Sequence, residues 1–581
     1  MIPLVQPDDL HEADVPLVQP DDLHEADVPL VQPDNLHEAE IPLAQPDAPL
    51  KVDAVHFGTD GWRAIIGQDF NTATLARVAE ATARVFLEDA LASATFGSDP
   101  LTPAPRIIVG YDCRENAGRC AVLTGAVIAA YGFDVVISDA YCPTPTLCFS
   151  VARDERAVGG IMLTSSHNPA EYLGLKLRMA DGGASPAAFT DRVEAALCDE
   201  LPANYEQACA LATLATNGTP QAPARSLGSA LTATLATNGT PQAPALTLDI
   251  APELRFTDLM TSYLDELAKL VDTAAITAAD LRIVVDPLYG AGRSYLSALL
   301  RRLGVKEVVE VNANDDPTFA GLHPEPIYPW IQTGVQKVAE LGYDACFITD
   351  GDADRIGAVD SDGTFVNPHR ILALVTAHLV EARGLKGRVV RTLSGSNLIK
   401  RQCERLGLAL TTTPVGFKWI YEEMLKGDVL IGGEESGGIG IPTHVRERDG
   451  LLMALLLVEL MAQSGKPLKQ LVAEMLDQLG NLEYARRDLR LSVEEKEAFL
   501  SHHVHTKKTV EYYEAQIAPL EETITDVDYR DGIRLNFASD AWLLMRTSGT
   551  EPLVRIYAEA ADLIRVEELL DIGCAMAQGT S

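Results

Sequence analysis

The stretch that decides the fold lies between Arg106 and Asp139: RIIVGYD at 106–112, a helix-patterned segment over 117–131, and FDVVISD at 133–139. Two short apolar runs flanking an amphipathic segment of helical length are the punctuation of a βαβ unit, in which two parallel strands are joined by a helical crossover. The same alternation continues on both sides, so the spacing predicts an α/β protein. Four further apolar runs stop abruptly at polar loops. GGIMLT (159–164) precedes SSHNP, ACFIT (345–349) precedes DGDADR, DVLI (428–431) precedes GGEESGG, and AWLLM (541–545) precedes RTSGTEP. Loops beyond the carboxyl ends of strands line the ligand crevices of α/β sheets, so these four loops are the place to look for chemistry.

The loop at 350–354 carries Asp350, Asp352 and Asp354 at alternate positions directly after an apolar strand. Three such carboxylates repel one another unless a cation gathers them, and all-oxygen ligation suits a hard divalent ion such as magnesium. An EF-hand is excluded, because Arg355 and Ser361 stand where that loop requires its glycine and its bidentate glutamate. The competing reading is a turn with solvated acids.

At 164–169 a serine pair, Ser165 and Ser166, sits on a tight loop after a buried strand, with Pro169 suited to the first turn of a following helix. The pattern is not GxSxG, so no hydrolase elbow follows. Glu434 and Ser436 offer a carboxylate and a hydroxyl between glycines that permit close backbone approach, a pairing that can bracket sugar hydroxyls. Arg546, Ser548 and Thr550, with Arg555 beyond them, supply guanidinium groups, hydroxyls and glycine-freed N–H groups suited to a phosphate dianion. Each of these loops alone is also compatible with a plain turn.

A net charge of −36 on 581 residues argues against nucleic acid or an anionic membrane as partner. The charge is uneven, since residues 1–50 hold twelve carboxylates and neither Lys nor Arg. That segment repeats every 13 residues, beginning PLVQPDDLHEADV, and its regular proline and sparse aliphatic content predict a disordered acidic tail over 1–52, whose protein partner, if it has one, the sequence does not name. A second duplication, TLATNGTPQAPA at 213–224 and 234–245, marks 201–250 as a low-complexity insertion. Nine scattered cysteines without a CxxC pair, an amino terminus without a basic and apolar leader, and an apolar run at 451–462 too short to span a bilayer predict a cytoplasmic protein without structural disulfides.

Taken together, FGTDGWR (57–63), TSSHNPAEYLGLK (164–176), DGDADR (350–355), TPVGFK (413–418), GGEESGG (432–438) and RTSGTEP (546–552) resemble, in this order, the signatures of the α-D-phosphohexomutases, with the phosphoglucomutase and phosphomannomutase branch the nearest. The resemblance covers roughly residues 53–575. It implies three related mixed α/β domains and a smaller C-terminal α+β domain around a central cleft, here expected at 53–200, 251–357, 358–478 and 479–581. It also implies that Ser166 is the phosphoserine and a metal ligand, that Asp350, Asp352 and Asp354 bind Mg2+, and that Glu434 and Ser436 meet sugar hydroxyls. Arg546, Ser548, Thr550 and Arg555 match the distal phosphate site, and Arg63, Lys176, Arg355 and Lys418 match basic residues of the cleft. The expected activity is interconversion of glucose 1-phosphate and glucose 6-phosphate through a hexose 1,6-bisphosphate.

Two departures bear on this reading. Ser165 replaces a common alanine beside the nucleophile, and Gly438 stands where mannose-type and glucosamine-type enzymes usually carry histidine; HVRERDG (444–450) resembles the glucose-type branch instead. Lys176 and Arg355 are candidates to assist transfer. For the general base, Lys176, His167 and His444 all remain, with His167 favoured as a loop-structuring partner. Rival readings are dual use of glucose and mannose phosphates, a phosphatase, and a sugar-phosphate sensor without turnover.

Overall fold

The computed structural model describes residues 55–58, 60–92, 103–214, 254–548 and 552–579. The acidic repeats, most of the 201–250 insertion and Thr550 lie outside the described residues.

The βαβ unit read from 106–139 is present: Arg106–Tyr111, the helix Ala117–Ala129 and Asp134–Ser138, with the two strands parallel. They sit in a six-stranded sheet ordered Trp62–Ile65, Tyr172–Met179, Ala157–Leu163, Arg106–Tyr111, Asp134–Ser138, Arg255–Thr257. A second sheet is ordered Phe365–Val366, Ile356–Asp360, Ala345–Thr349, Arg282–Asp286, Glu307–Glu310, and a third Leu410–Thr413, Arg388–Thr392, Val429–Gly433, Ile439–Gly440. One device recurs in all three. A strand paired in parallel with a neighbour (Ala157–Leu163, Ala345–Thr349 or Val429–Gly433) runs out at its carboxyl end, turns, and returns antiparallel as Tyr172–Met179, Ile356–Asp360 or Ile439–Gly440. The three polar loops at 164–171, 350–355 and 434–438 are therefore the same topological turn in three related mixed sheets.

The fourth domain differs. Its five strands, ordered Glu483–Arg490, Leu553–Ala560, Trp542–Thr547, Ile533–Phe537, Ile524–Asp528, are wholly antiparallel and are backed by the helix Leu563–Ala577. A continuous apolar core passes from Leu147 and Met162 in the first domain through Val285 and Phe347 in the second to Leu372 and Leu455 in the third. The fourth domain has its own core and meets the third through a small cluster of Leu393, Trp542, Leu544 and Tyr557.

The sheets set the domain limits differently from the expected ones. Arg255–Thr257 pairs with Asp134–Ser138 and so completes the first sheet, although the expected second domain began at 251. The helix Tyr205–Leu214, inside the expected insertion, buries Tyr205, Ala208 and Leu211 against the first domain's core. The expected limit at 357 falls inside Ile356–Asp360, and the second sheet continues to Val366. A return strand carries no compositional break, so the sequence does not mark it. The apolar run at 451–462 is part of the helix Gly450–Ser464, capped by the Asp449 side chain on Leu452 N and buried in the shared core. Among the described residues no single helix is long and apolar enough to cross a membrane, although this helix and Leu468–Leu479 would pass together as a pair bent by 86°. All nine cysteines are unpaired.

Candidate active site

Ser166 is buried at the tip of the first loop with a left-handed φ of 52°, a conformation that a non-glycine residue adopts only when its surroundings impose it. The imposing groups are identifiable. Ser166 N donates to Thr164 Oγ1 (2.8 Å), and Thr164 Oγ1 donates to Asp112 Oδ2 (2.6 Å). The buried guanidinium of Arg114, paired with Asp112 at 3.2 Å, donates to the carbonyls of Ser166 (2.9 Å), Asn168 (2.6 Å), Pro169 (2.6 Å) and Tyr172 (3.0 Å). One side chain thus gathers four carbonyls of the loop. The same fixation leaves Ser165 Oγ buried without a hydrogen-bond partner, while Ser166 Oγ donates to Asp350 Oδ2 at 3.0 Å.

The second-domain loop meets this serine backbone to backbone. A Cβ on Gly351 would stand 2.3 Å from the Ser166 carbonyl oxygen, so only glycine admits the approach. Asp350, Asp352 and Asp354 are fully buried, with one carboxylate oxygen from each lying within 4.8 Å of the others. Lys176 Nζ takes the Oδ2 atoms of Asp352 and Asp354, each at 2.7 Å, and that of Asp60 at 2.9 Å. The Oδ1 atoms of Asp352 and Asp354 are then left buried without a donor. Burial, together with Asp354 and Asp352, pushes the Asp350 carboxyl well above its usual range. Orphaned carboxylate oxygens converging beside a buried hydroxyl are the donor set of a hard divalent cation, and the residues present fit magnesium.

Around this cluster stand cations the sequence reading did not select. Arg448 Nη2 pairs with Asp354 at 2.8 Å and with Asp60, its Nε with Glu447 at 3.0 Å, and its Nη1 with Glu434 at 3.5 Å. Arg178 joins Asp60 (2.9 Å) to Glu447 (3.0 Å). Asp60, part of FGTDGWR, is thereby ringed by three bases that outweigh the opposing effect of burial and hold its carboxyl well below the usual range. Arg355 N donates to Asp350 Oδ1 (3.1 Å), and its guanidinium reaches Glu325 (3.4 Å) and Asp350 (3.8 Å).

The third loop abuts the second through a bridge between Arg355 and Gly438 and a hydrogen bond from Ile356 N to Gly437 O (3.1 Å). Glu434 is buried there, and its carboxyl is pushed up to about 7 by burial, with Arg448 opposing and Glu435 adding to the rise. Ser436 is half-buried on the same turn. In the fourth domain Arg546 and Arg555 are directly opposed on neighbouring strands, so their side chains share a face. Arg546 Nε bonds Asp531 at 2.8 Å, Arg555 lies 3.7 Å from Asp488, and Ser548 N bonds Leu553 O at 2.9 Å. Arg63 donates to Asn168 Oδ1 at 3.0 Å, on the Ser166 loop. Lys418 is half-buried with its ammonium 5.4 Å from the Trp419 ring centroid.

The three candidate bases separate. His444 is 3.2 Å from Asp449 and stacked on Phe149. Burial would lower the Lys176 ammonium, but Asp352, Asp354 and Asp60 outweigh it and hold the group charged. His167 Nδ1 is 3.5 Å from Ser166 Oγ; burial and the field of Arg355, Arg63, Arg555 and Arg486 keep its imidazole neutral.

A buried serine hydroxyl lies beside an aspartate triad with basic groups around them, an arrangement suited to phosphoryl transfer, and Arg546 and Arg555 are paired in the fourth domain. The chain matches the phosphoglucomutase/phosphomannomutase models for alpha/beta/alpha domain I over residues 54–202, domain II over 261–363, domain III over 367–479 and the C-terminal domain over 489–572. It belongs to the phosphoglucomutase/phosphomannomutase family, and it is a phosphohexomutase-class enzyme. It is 29% identical over 519 residues to a phosphoglucomutase/phosphomannomutase of Thermococcus kodakarensis, covering 89% of this chain and 97% of that one. It is 28% identical to a phosphoglucosamine mutase of Thermoanaerobacter pseudethanolicus, covering 88% and 96%. A solved structure from Thermus thermophilus, carrying a provisional phosphomannomutase assignment, superposes with a TM-score of 0.71 at 31% identity, covering 90% of this chain and 99% of that one.

Proposed function

We propose that the chain is a phosphoglucomutase that interconverts glucose 1-phosphate and glucose 6-phosphate through phosphorylated Ser166 and a glucose 1,6-bisphosphate. In the forward direction the phosphate of the 1-phosphate docks on Arg546, Ser548, Thr550 and Arg555, and the free 6-hydroxyl faces phosphorylated Ser166. The Oγ–P bond breaks as the O6–P bond forms, and the 6-hydroxyl proton passes to a base. His167 is the candidate base on geometry, since its Nδ1 lies 3.5 Å from Oγ. The bisphosphate reorients, the O1–P bond breaks as the Oγ–P bond is restored, and the 1-oxygen regains a proton to give the 6-phosphate.

Asp350, Asp352, Asp354 and Ser166 are the residues that would hold Mg2+. When bound, the ion supplies charge neutralisation and polarisation of the phosphoryl oxygens. Lys176, Arg355 and Arg448 oppose the remaining negative charge, and the near-complete burial of the cluster keeps water from competing with the sugar hydroxyl. Glu434 and Ser436 accept sugar hydroxyls in both orientations, with Arg63, which lies in the field of Asp60 and Asp352, and Lys418 as further cations for the substrate.

The preference for glucose rests on one relationship. A Cβ on Gly438 would stand 2.3 Å from Arg448 Cδ and 3.1 Å from Glu434 Oε2, so the histidine of the other branches has no room while Arg448 is tied to Asp354 and Asp60. Gly438 and Arg448 are thus one choice made twice. Initial rates with glucose, mannose and glucosamine 1-phosphates at matched concentration test the assignment. The highest kcat/KM is expected for glucose, and a higher value for either competitor refutes it.

A further inference from the structure

Away from the reacting groups, a cavity of about 440 Å³ opens between the third and fourth domains. Arg391, Arg530, Arg534 and Lys400 line it. Two of these cations are unusual. Arg391 and Arg534 are buried, and among the described residues neither forms an ion pair within 4.0 Å. Their donors go to neutral oxygens. Arg391 meets the carbonyls of Gly395 (3.3 Å) and Ser396, and Arg534 meets Leu393 O and Asn536 Oδ1 (3.0 Å) while lying 4.1 Å above the Trp542 ring. Both converge on Asn397 Oδ1, at 3.1 and 3.4 Å, so two positive charges face each other across one amide oxygen.

Of the acids nearby, Asp528 is held by Arg530 and Asp540 by Arg401 and Lys400, while Asp526 also lines the cavity and the buried Glu559, which accepts from Asn397 N (2.7 Å) and Trp542 Nε1 (2.8 Å), keeps its Oε2 without a hydrogen-bond partner. Burial and the repulsion from Arg391 push Arg534 down to about 9. The ten-residue helix Asn397–Leu406 also begins at this cavity, adding the positive end of its dipole. Buried guanidinium groups with no carboxylate at ion-pair distance carry positive charge that an anion can compensate.

We propose that this cavity is a second anion site, which takes a small phosphorylated metabolite between Arg391 and Arg534 and is distinct from the catalytic cleft. Its volume accommodates a phosphate with a small organic body. The site is connected to the cleft by adjacent residues. Arg530 lines the cavity and donates to Thr412 O of the third domain (2.5 Å), whereas Asp531 accepts from Val415 N (2.9 Å) and from Arg546 Nε (2.8 Å) of the phosphate loop. An anion that draws Arg530 inward therefore acts on the seam between the two domains.

The test uses crystals of the full chain soaked with tungstate, together with calorimetric titration of the full chain by inorganic phosphate and by glycerol 3-phosphate. Anomalous density is expected both at the Arg546 loop and between Arg391 and Arg534, with tighter binding of glycerol 3-phosphate than of phosphate at the second site. Arg534→Gln is expected to remove the cavity density and leave that at the Arg546 loop. Should Arg534→Gln not fold, the rim variant Lys400→Gln/Arg530→Gln is expected to weaken the second site at least fivefold. Density confined to the Arg546 loop, cavity density unchanged in these variants, or binding of phosphate at least as tight as glycerol 3-phosphate would overturn the proposal.

Discussion

Ser166 and Asp350, 184 residues apart in the chain, meet in a 3.0 Å hydrogen bond from hydroxyl to carboxylate. The contact depends on Gly351, whose missing side chain lets the two loops touch along their backbones. Gly351→Ala places a methyl group 2.3 Å from the Ser166 carbonyl oxygen. Because a backbone atom cannot step aside as a side chain can, the loops must separate, at a cost of ~1–3 kcal/mol in stability. A fall in kcat of about 10²-fold, the usual penalty for misplacing reacting groups by ~1 Å, is expected from steady-state assay, with a lower melting temperature.

Arg114 never touches the acids of the triad, yet it holds four carbonyls of the loop that presents Ser166. Lysine keeps the charge but not the fork, so Arg114→Lys is expected to lower kcat by about 10²-fold while KM changes little. A KM effect larger than the kcat effect would point to a role in binding instead.

Glu434 couples pH to stability and to binding. Its carboxyl titrates at about 7 in the folded protein, against an ordinary value of about 4.5, chiefly because it is buried. Between these values the folded state binds more protons than the unfolded one, so Glu434's contribution to stability is greatest below pH 4.5 and declines as pH rises to 7, with a slope of up to ~1.4 kcal/mol per unit. Substrate recognition runs the opposite way, because the ionised carboxylate is the better acceptor of sugar hydroxyls. Accordingly kcat/KM is expected to rise up to about pH 7 and then level, and Glu434→Gln is expected to flatten that rise.

Chelation tests the orphaned oxygens of Asp352 and Asp354. Treatment with EDTA is expected to abolish turnover and Mg2+ to restore it. Asp352→Asn is expected to weaken metal affinity by at least about 10-fold by calorimetry, since an amide offers that position one neutral oxygen.

Gly438→His is expected to lose activity without gaining mannose preference, because Arg448 fills the space above Gly438 and is anchored at its head by Asp354 and Asp60. Recovery of mannose 1-phosphate turnover in this single variant would show that Arg448 is free to leave.

The four site loops were readable because each is a local signal, an apolar strand ending in charged, hydroxylated or glycine-rich residues. The partners that hold those loops were not. Arg448 and Asp60 are separated by 388 residues and Arg114 and Ser166 by 52, and neither arginine differs in its local context from a surface arginine. Nor does the sequence show the Phe149 ring that His444 stacks on. Domain limits slipped for a similar reason: Arg255–Thr257 is assigned to the first sheet by its pairing with Asp134–Ser138, a contact no spacing encodes.

The most direct test is to incubate the full chain with glucose 1,6-bisphosphate labelled in both phosphates, stop it in acid, and map the label by peptide mass spectrometry. About one phosphate per chain is expected on Ser166 and none on Ser165, with both labelling and mutase activity lost in Ser166→Ala. Full mutase activity in Ser166→Ala, or label carried on any other residue, would contradict this expectation.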